Sequence, residues 1–168
     1  GMIKDEIKDN PTLAERLLPN STSTGWGKEE IKPKNGTILR VKSAGSKIRG
    51  HHPTWINLDD FPNESSLYSQ DARDKLWNIF SAVIFPALSP GGSLNVVGTP
   101  FIADLDIYGK IKAISKKDTE EMKKTGIRKE TWKIFEYPAI FPDGRILFPQ
   151  RPMTYESIMQ KRDLLGSI

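Results

Sequence analysis

Residues 54–97 carry the pattern that most restricts how this chain can fold. A short apolar run at 54–59 is followed by a longer stretch with helical periodicity at about 69–84, and a second short apolar run occupies 94–97. Runs this short suit buried strands, because helices usually need ten or more residues. A strand, a helix and a strand at this spacing predict a βαβ unit with parallel strands and a right-handed crossover.

The helical stretch has one clear apolar face. Apolar side chains recur at the i, i+3, i+4, i+7 and i+8 positions that share one side of a helix. They are Leu76, Ile79, Phe80, Val83 and Ile84. Pro86 is expected to end this helix, and residues 89–92 predict a turn into the second strand.

Two adjacent carboxylates, Asp59 and Asp60, end the first strand. Ligands of open α/β sheets bind beyond the carboxyl ends of the strands. A pair of acids there can hold Mg²⁺ and polarise a water. The plainer interpretation is a strand followed by an Asp-rich turn. Because parallel strands end at the same edge of a sheet, Gly98 and Thr99 after the second strand are expected beside the acid pair.

The segments before this unit have local signals of their own. Residues 2–18 favour a helix, with a break or a second helix start at Asn10-Pro11. Residues 31–48 predict a hairpin around the Asn-Gly turn at 35–36.

The segments after it are predicted in the same way. Asp104 is expected to cap a helix over about 105–124, and residues 132–137 favour another strand. Residues 141–145 predict a tight turn, and Thr154 is expected to start a last helix.

Composition excludes several kinds of protein. The 168 residues, 37% hydrophobic and 27% charged, fit about one globular domain. No apolar run approaches the ~20 residues that span a bilayer. The absence of cysteine excludes disulfides, zinc–cysteine sites and thiol nucleophiles. The net charge of +4 is concentrated in residues 110–133, where nine Lys/Arg face four Asp/Glu, and either a solvated helix face or a surface for a polyanion accounts for it.

Taken in order, the segments resemble the large subunit of tailed-phage terminases, the motor that packages viral DNA. The resemblance covers nearly the whole chain, and the order and spacing of the motifs carry it. The matching motifs are the Asn-Gly hairpin, a Ser-rich stretch at 43–50 that ends in Arg-Gly, a Walker B-like strand at 56–60, a Pro-Gly-Gly turn at 90–92, a coupling-like motif at 96–100 and the stretch 142–149 that precedes the family's nuclease domain.

The resemblance implies a role for each matching residue. Asp59 corresponds to the Walker B aspartate, which acts on Mg²⁺ through water, and Asp60 stands where the family usually has a catalytic glutamate. Arg49 is at the place of an arginine finger that acts on the ATP of a neighbouring subunit. The residues that would couple hydrolysis to movement are Gly98, Thr99 and Pro100.

The implied fold is an α/β fragment of the P-loop NTPase kind, of the additional-strand ATPase type, that lacks the P-loop strand and has a small hairpin and a C-terminal linker helix. Residues 1–137 would form the C-terminal half of the ATPase domain, and residues 138–168 a hairpin and linker helix that lead toward a missing nuclease domain. The chain departs from the family in two ways. Asp60 is one methylene shorter than glutamate, and no Gly-x-x-x-x-Gly-Lys-Ser/Thr motif occurs in the sequence, so nothing in it cradles the β- and γ-phosphates.

The resemblance therefore implies part of an ATP-driven motor that packages double-stranded DNA into a procapsid in the host cytoplasm. Mg²⁺ and ATP would serve the complete motor. Expected partners are DNA, other terminase subunits and the portal, with homo-oligomerisation or association through an open sheet edge and no membrane. Whether this chain alone is an enzyme stays open. Two alternatives are a non-catalytic split or degenerate module that supplies Arg49 and basic surface, and a helicase-like ATPase of the same superfamily.

Overall fold

The chain is a mixed α/β protein with a small parallel sheet and a two-stranded antiparallel hairpin. The computed structural model describes residues 2–19, 26–43, 46, 48, 50–62, 69–100, 104–129, 131–150 and 154–165. The predicted arginine finger, Arg49, lies outside these residues. Within them, no helix is both long enough and apolar enough to cross a membrane.

Two short helices open the chain, α1 (Met2–Asp9) and α2 (Pro11–Leu17). Asn10 separates them, and its side-chain oxygen accepts hydrogen bonds from the backbone N–H groups of Thr12 (3.1 Å) and Leu13 (3.3 Å). Asn is a favoured N-cap, and proline at the first helical position has no N–H to leave unpaired. The predicted helix with a break at Asn10-Pro11 is confirmed.

The predicted hairpin is also confirmed, although its strands are short. Strands β1 (Glu30–Ile31) and β2 (Leu39–Arg40) pair antiparallel. The turn between them holds Gly36 at φ 83°, a conformation that glycine adopts at little cost.

The strand–helix–strand unit forms with the parallel pairing that the sequence predicts. Strand β3 (Trp55–Asp59) runs parallel to β4 (Ser93–Val97), in a register that pairs Trp55 with Ser93 and Asp59 with Val97. The connecting helix begins after Ser69, whose hydroxyl accepts from the Ala72 N–H at 3.1 Å. It runs as α3 (Gln70–Ile79), a π-helical turn (Phe80–Ile84) and a final turn α4 (Phe85–Ala87), and so ends one residue beyond Pro86.

Two expectations for the following segment are wrong. The long helix α5 (Ile107–Thr125) is capped by Asp106, not by Asp104, because the Asp106 carboxylate accepts from the Gly109 N–H at 2.9 Å. Asp104 instead lies in the preceding turn with a positive φ of 62°. Residues 132–137 form no strand within the described part of the chain, because no neighbouring strand there supplies a ladder of backbone hydrogen bonds.

The last segments form the turn and the helix that the sequence predicts. Residues 141–145 form a tight turn, closed by a hydrogen bond from the Phe141 N–H to the Arg145 carbonyl at 2.8 Å. The last helix, α6 (Tyr155–Leu165), begins after Thr154. Ser157 takes the place of the usual glutamate in a capping box, since each of these two side chains accepts from the backbone N–H of the other residue (3.0 and 3.2 Å).

The core lies between one face of the parallel pair and the helices α3 and α5. Its buried centre is Phe80, Ile107 and Ile111, and the inward residues of the strands pack against it with several aromatic rings. The opposite face of the pair is exposed, and Trp55 at its start is 67% exposed. The packing thus covers one face of the sheet and fixes where both strands end.

Candidate functional site

The carboxyl ends of β3 and β4 meet at the carbonyl of Val97. Asp59 pairs with Val97 in the parallel register, and the backbone N–H of Asp60 donates to the Val97 carbonyl at 3.0 Å. This hydrogen bond extends the pairing of the strands by one residue beyond β3. It holds the acid pair directly beside Gly98, as the sequence predicts for a parallel pair.

Asp60 adopts a left-handed backbone conformation with φ 43°. Few non-glycine residues do so, and aspartate and asparagine are several-fold enriched among those that do, since their short polar side chains bond locally. A glutamate gains less from such local bonding. The backbone therefore gives a physical reason for the shorter acid at position 60, where the family that the sequence resembles usually has glutamate.

Gly98 cannot carry a side chain without disturbing this junction. Its φ of 157° is one that L-residues rarely adopt. A Cβ atom there would collide with the hydroxyl of Tyr108 and would come within 3.0 Å of Oδ1 of Asp60. Thr99 and Pro100 follow as exposed residues. The structure thus brings Asp59, Asp60 and Gly98 together.

The N-terminal end of α5 completes the junction, and its main contribution comes from a residue that the sequence reasoning did not single out. Tyr108, in the first turn of the helix, donates its hydroxyl to the Val97 carbonyl at 3.3 Å. Burial, followed by the negative charges of Asp60, Asp106 and Asp59, raises the pKa of Tyr108 to about 12. The phenol therefore keeps its proton at neutral pH. A tyrosine two residues after a capping aspartate was the available signal, but it becomes meaningful only once α5 is packed against the sheet.

The start of α5 is fixed by close packing as well as by its cap. Asp106 is almost fully buried and caps the helix through the Gly109 N–H. A Cβ atom at Gly109 would collide with the backbone of Asp104, which lies in the turn just before. Backbone atoms cannot move aside as flexible side chains do, so Tyr108 presents its hydroxyl from a rigid position.

The two carboxylates do not make a metal centre by themselves. Within the described residues, no group of three or more His, Cys, Asp or Glu side chains lies close enough to hold a metal. Mg²⁺ in nucleotide sites, however, is commonly bound by one or two carboxylates together with water and phosphates. The side chains of Asp59 and Asp60 are exposed, so water and phosphate can approach them.

A second polar region lies along the middle and the C-terminal part of α5. A groove of about 400 Å³ runs between this helix and the following extended segment. It is lined by Lys112, Ser115, Lys116, Thr119, Glu120, Lys123, Ile134 and Glu136. Lys112 pairs with Glu136 at 2.7 Å, whereas Lys116 and Lys123 form no ion pair with the described residues. The positive charge expected from the sequence is thus partly neutralised here.

Comparison with known proteins adds no relative. No protein-family model, no curated protein and no solved structure matches the chain.

Proposed function

We propose that this chain is the second half of the ATPase domain of a DNA-packaging motor of the terminase large-subunit kind. The observation that carries the proposal is the hydrogen bond from the Asp60 N–H to the Val97 carbonyl. It joins the end of the acid-bearing strand to the start of the Gly98–Pro100 segment. A motor needs such a contact, because the groups that act on the nucleotide must touch the segment that moves.

In this proposal the two acids have separate roles. Asp59 ends β3 with an exposed carboxylate that would hold Mg²⁺ through a water. Asp60 is the next residue along the chain and adopts a left-handed backbone conformation. Its carboxylate would orient the attacking water. Bound Mg²⁺ would neutralise the charge that develops on the β- and γ-phosphates.

The remaining parts of a phosphoryl-transfer site would come from elsewhere. The cradle for the phosphates would be a P-loop on a segment outside this sequence. Arg49 would act as an arginine finger on a neighbouring subunit's ATP, where a positive charge stabilises the transferring phosphoryl group. Thr99 would report the state of the phosphate through its hydroxyl, and the Gly98–Pro100 segment would pass that state on as movement.

The open parallel sheet supports the need for another segment. Parallel sheets occur almost only with both faces covered, yet the face of β3 and β4 that bears Trp55, Asn57 and Asp59 is exposed. Within the described residues, each of these strands pairs only with the other. A strand from the P-loop half, added at one edge, would extend the sheet. Its backbone would pair with the N–H and C=O groups that an edge strand presents.

Calorimetry with Mg-ATP tests the missing cradle. This chain alone is expected to bind Mg-ATP weakly, whereas its mixture with the polypeptide encoded directly upstream of Met2 is expected to bind tightly. Tight binding by the chain alone would contradict the proposal that the P-loop is supplied by another segment.

Arginine replacement separates the motor from the non-catalytic alternative. In the mixture, ATP turnover is expected and Arg49→Ala is expected to lower it by about 10³-fold or more, the usual contribution of an arginine finger. A mixture without turnover favours a non-catalytic module. Stimulation by RNA and not by double-stranded DNA favours a helicase-like ATPase.

A further inference from the structure

The Val97 carbonyl accepts two hydrogen bonds from two different elements. The backbone N–H of Asp60 reaches it from the end of β3 at 3.0 Å, and the hydroxyl of Tyr108 reaches it from the start of α5 at 3.3 Å. A carbonyl oxygen has two lone pairs, so both donors can be satisfied together. The end of β4 is thereby fixed to β3 on one side and to α5 on the other.

The ring of Tyr108 cannot swing away easily. It packs against the buried cluster of Phe80, Ile107 and Ile111. Its hydroxyl occupies the space that a side chain at position 98 would need. The same group that bonds the end of β4 therefore also lies against the first residue of the Gly98–Pro100 segment.

We propose that Tyr108 is a positioning residue that holds the Gly98–Pro100 segment against Asp60. The structural part of this proposal stands on the contacts of Val97 and Gly98 alone. Its consequence for movement rests on the proposed motor function, because only in a motor would the Gly98–Pro100 segment transmit movement.

The electrostatic surroundings of Tyr108 support this role. The charged groups acting on its phenol are Asp60 and Asp59 at the end of β3 and Asp106 on its own helix cap. Together with burial they raise the pKa of the phenol to about 12. The hydroxyl therefore remains a hydrogen-bond donor up to a higher pH than an ordinary tyrosine, whose pKa is 10.0.

Hydrogen exchange in this chain tests the contact without any assumption about function. In Tyr108→Phe the ring and its packing stay, and only the hydroxyl is lost. The Asp60 amide is expected to exchange about fivefold faster, the effect of losing one typical hydrogen bond, while the amides of Leu58 and Asn95, which lie between the strands in this register, keep their rates. Tyr137→Phe is the matched control, because Tyr137 is 70% exposed. An Asp60 amide that exchanges equally fast in the native chain and in Tyr108→Phe would overturn the proposal.

The phenol itself gives a second readout from the opposite side of the contact. The chain has four tyrosines, so the difference between the ultraviolet titrations of the native chain and Tyr108→Phe isolates Tyr108. Gly98→Ala is expected to displace the hydroxyl and lower its pKa, and Asp60→Asn to lower the pKa by removing a negative charge. A Tyr108 that titrates unchanged in both variants would contradict the geometry on which the proposal depends.

The consequence for movement is measured in the mixture with the upstream polypeptide, assembled on the portal of a procapsid. Tyr108→Phe is expected to reduce the length of DNA moved per ATP hydrolysed severalfold, and Tyr137→Phe to leave it unchanged. An unchanged ratio in Tyr108→Phe would overturn the role in coupling. A mixture that hydrolyses no ATP at all contradicts the proposed motor instead, and the exchange experiment then decides the role of Tyr108 by itself.

Discussion

The two ends of helix α5 differ in what holds them and in what they offer to a ligand. The N-terminal end is buried, is capped by Asp106 and meets the acid pair and the Gly98–Pro100 segment. From Lys112 to Lys123 the helix carries lysines along an open groove, where the Lys112–Glu136 ion pair lies at the surface. Packing therefore determines the geometry of the groups at the N-terminal end. Along the groove the interactions are between surface charges, and their strength falls as the salt concentration rises. Substitutions at the packed N-terminal end should therefore change the free energy of unfolding more than substitutions in the groove.

The largest contrast is expected in the packing of α5. Ile111 is 4% exposed and belongs to the core, whereas Ile114, one turn further, is 38% exposed. Ile111→Ala is expected to lower the free energy of unfolding by about 2–5 kcal/mol, the usual cost of truncating a buried aliphatic side chain. Ile114→Ala is expected to cost less than about 1 kcal/mol. Urea unfolding measures both, and equal losses would show that α5 does not pack on the sheet as described.

The next effect concerns glycines at the two ends of the helix. Gly98→Ala places a Cβ against Tyr108 and is expected to cost about 1–3 kcal/mol of unfolding free energy. Gly126 ends α5 with φ 69° but meets nothing within 4 Å, so Gly126→Ala should show the backbone cost alone, about 1 kcal/mol.

A double-variant cycle identifies the atoms involved. Adding Tyr108→Phe to Gly98→Ala removes the hydroxyl that collides, so the double variant is expected to be more stable than the sum of the single losses predicts. Strict additivity would mean that Tyr108 and Gly98 do not touch.

A smaller effect is expected from the left-handed turn at Asp60. Asp60→Asn keeps a side chain that tolerates φ 43° and should leave the unfolding free energy within about 0.5 kcal/mol. Asp60→Glu is expected to lower it by about 1 kcal/mol, because glutamate gains less from local bonding in this conformation. Thermal unfolding compares the two variants, and a more stable Asp60→Glu protein would contradict this explanation for aspartate at position 60.

Alkaline pH should lower the free energy of unfolding through the titration of one group, the phenol of Tyr108. The folded pKa of Tyr108 is about 12 and the ordinary value is 10.0. Between these values the unfolded chain loses the phenolic proton and the folded chain keeps it, so the free energy of unfolding should fall as pH rises from about 10 to about 12. This component is expected to disappear in Tyr108→Phe and to persist in Tyr137→Phe.

The smallest effect on stability is expected in the lysine groove. Lys116→Ala and Lys123→Ala should change the unfolding free energy by less than about 0.5 kcal/mol, because neither side chain is paired with the described residues. If the groove faces DNA, each change should reduce the slope of log affinity against log salt by about 1. An unchanged slope would assign these lysines to an ordinary solvated surface.

The contrast between the two ends also shows what sequence can predict here. The βαβ unit, the break at Asn10-Pro11 and the turn at 141–145 depend on periodicity and local backbone chemistry, and all three are confirmed. The meeting of Asp60 and Gly98 followed from one further rule, that parallel strands end at the same edge.

What could not be predicted depends on contacts between distant segments. Asp104 and Asp106 are both suitable caps by residue type, and only the folded structure shows that Asp106 accepts from the Gly109 N–H while the Asp104 backbone packs against Gly109. Residues 132–137 have a strand-like composition, but a strand also needs a neighbour. The Trp132 carbonyl instead accepts the Ser115 hydroxyl at 2.8 Å. The contribution of Tyr108 arises only when α5 is placed against β4.

The most direct test of the proposed motor is steady-state ATP hydrolysis by this chain combined with the polypeptide encoded upstream. Turnover is expected in the mixture and in neither part alone. It should be lost in Asp59→Asn but not in Asp71→Asn, an exposed acid in the first turn of α3 that is outside the junction. Turnover that survives Asp59→Asn undiminished would contradict the assignment of the acid pair and, with it, the proposed function.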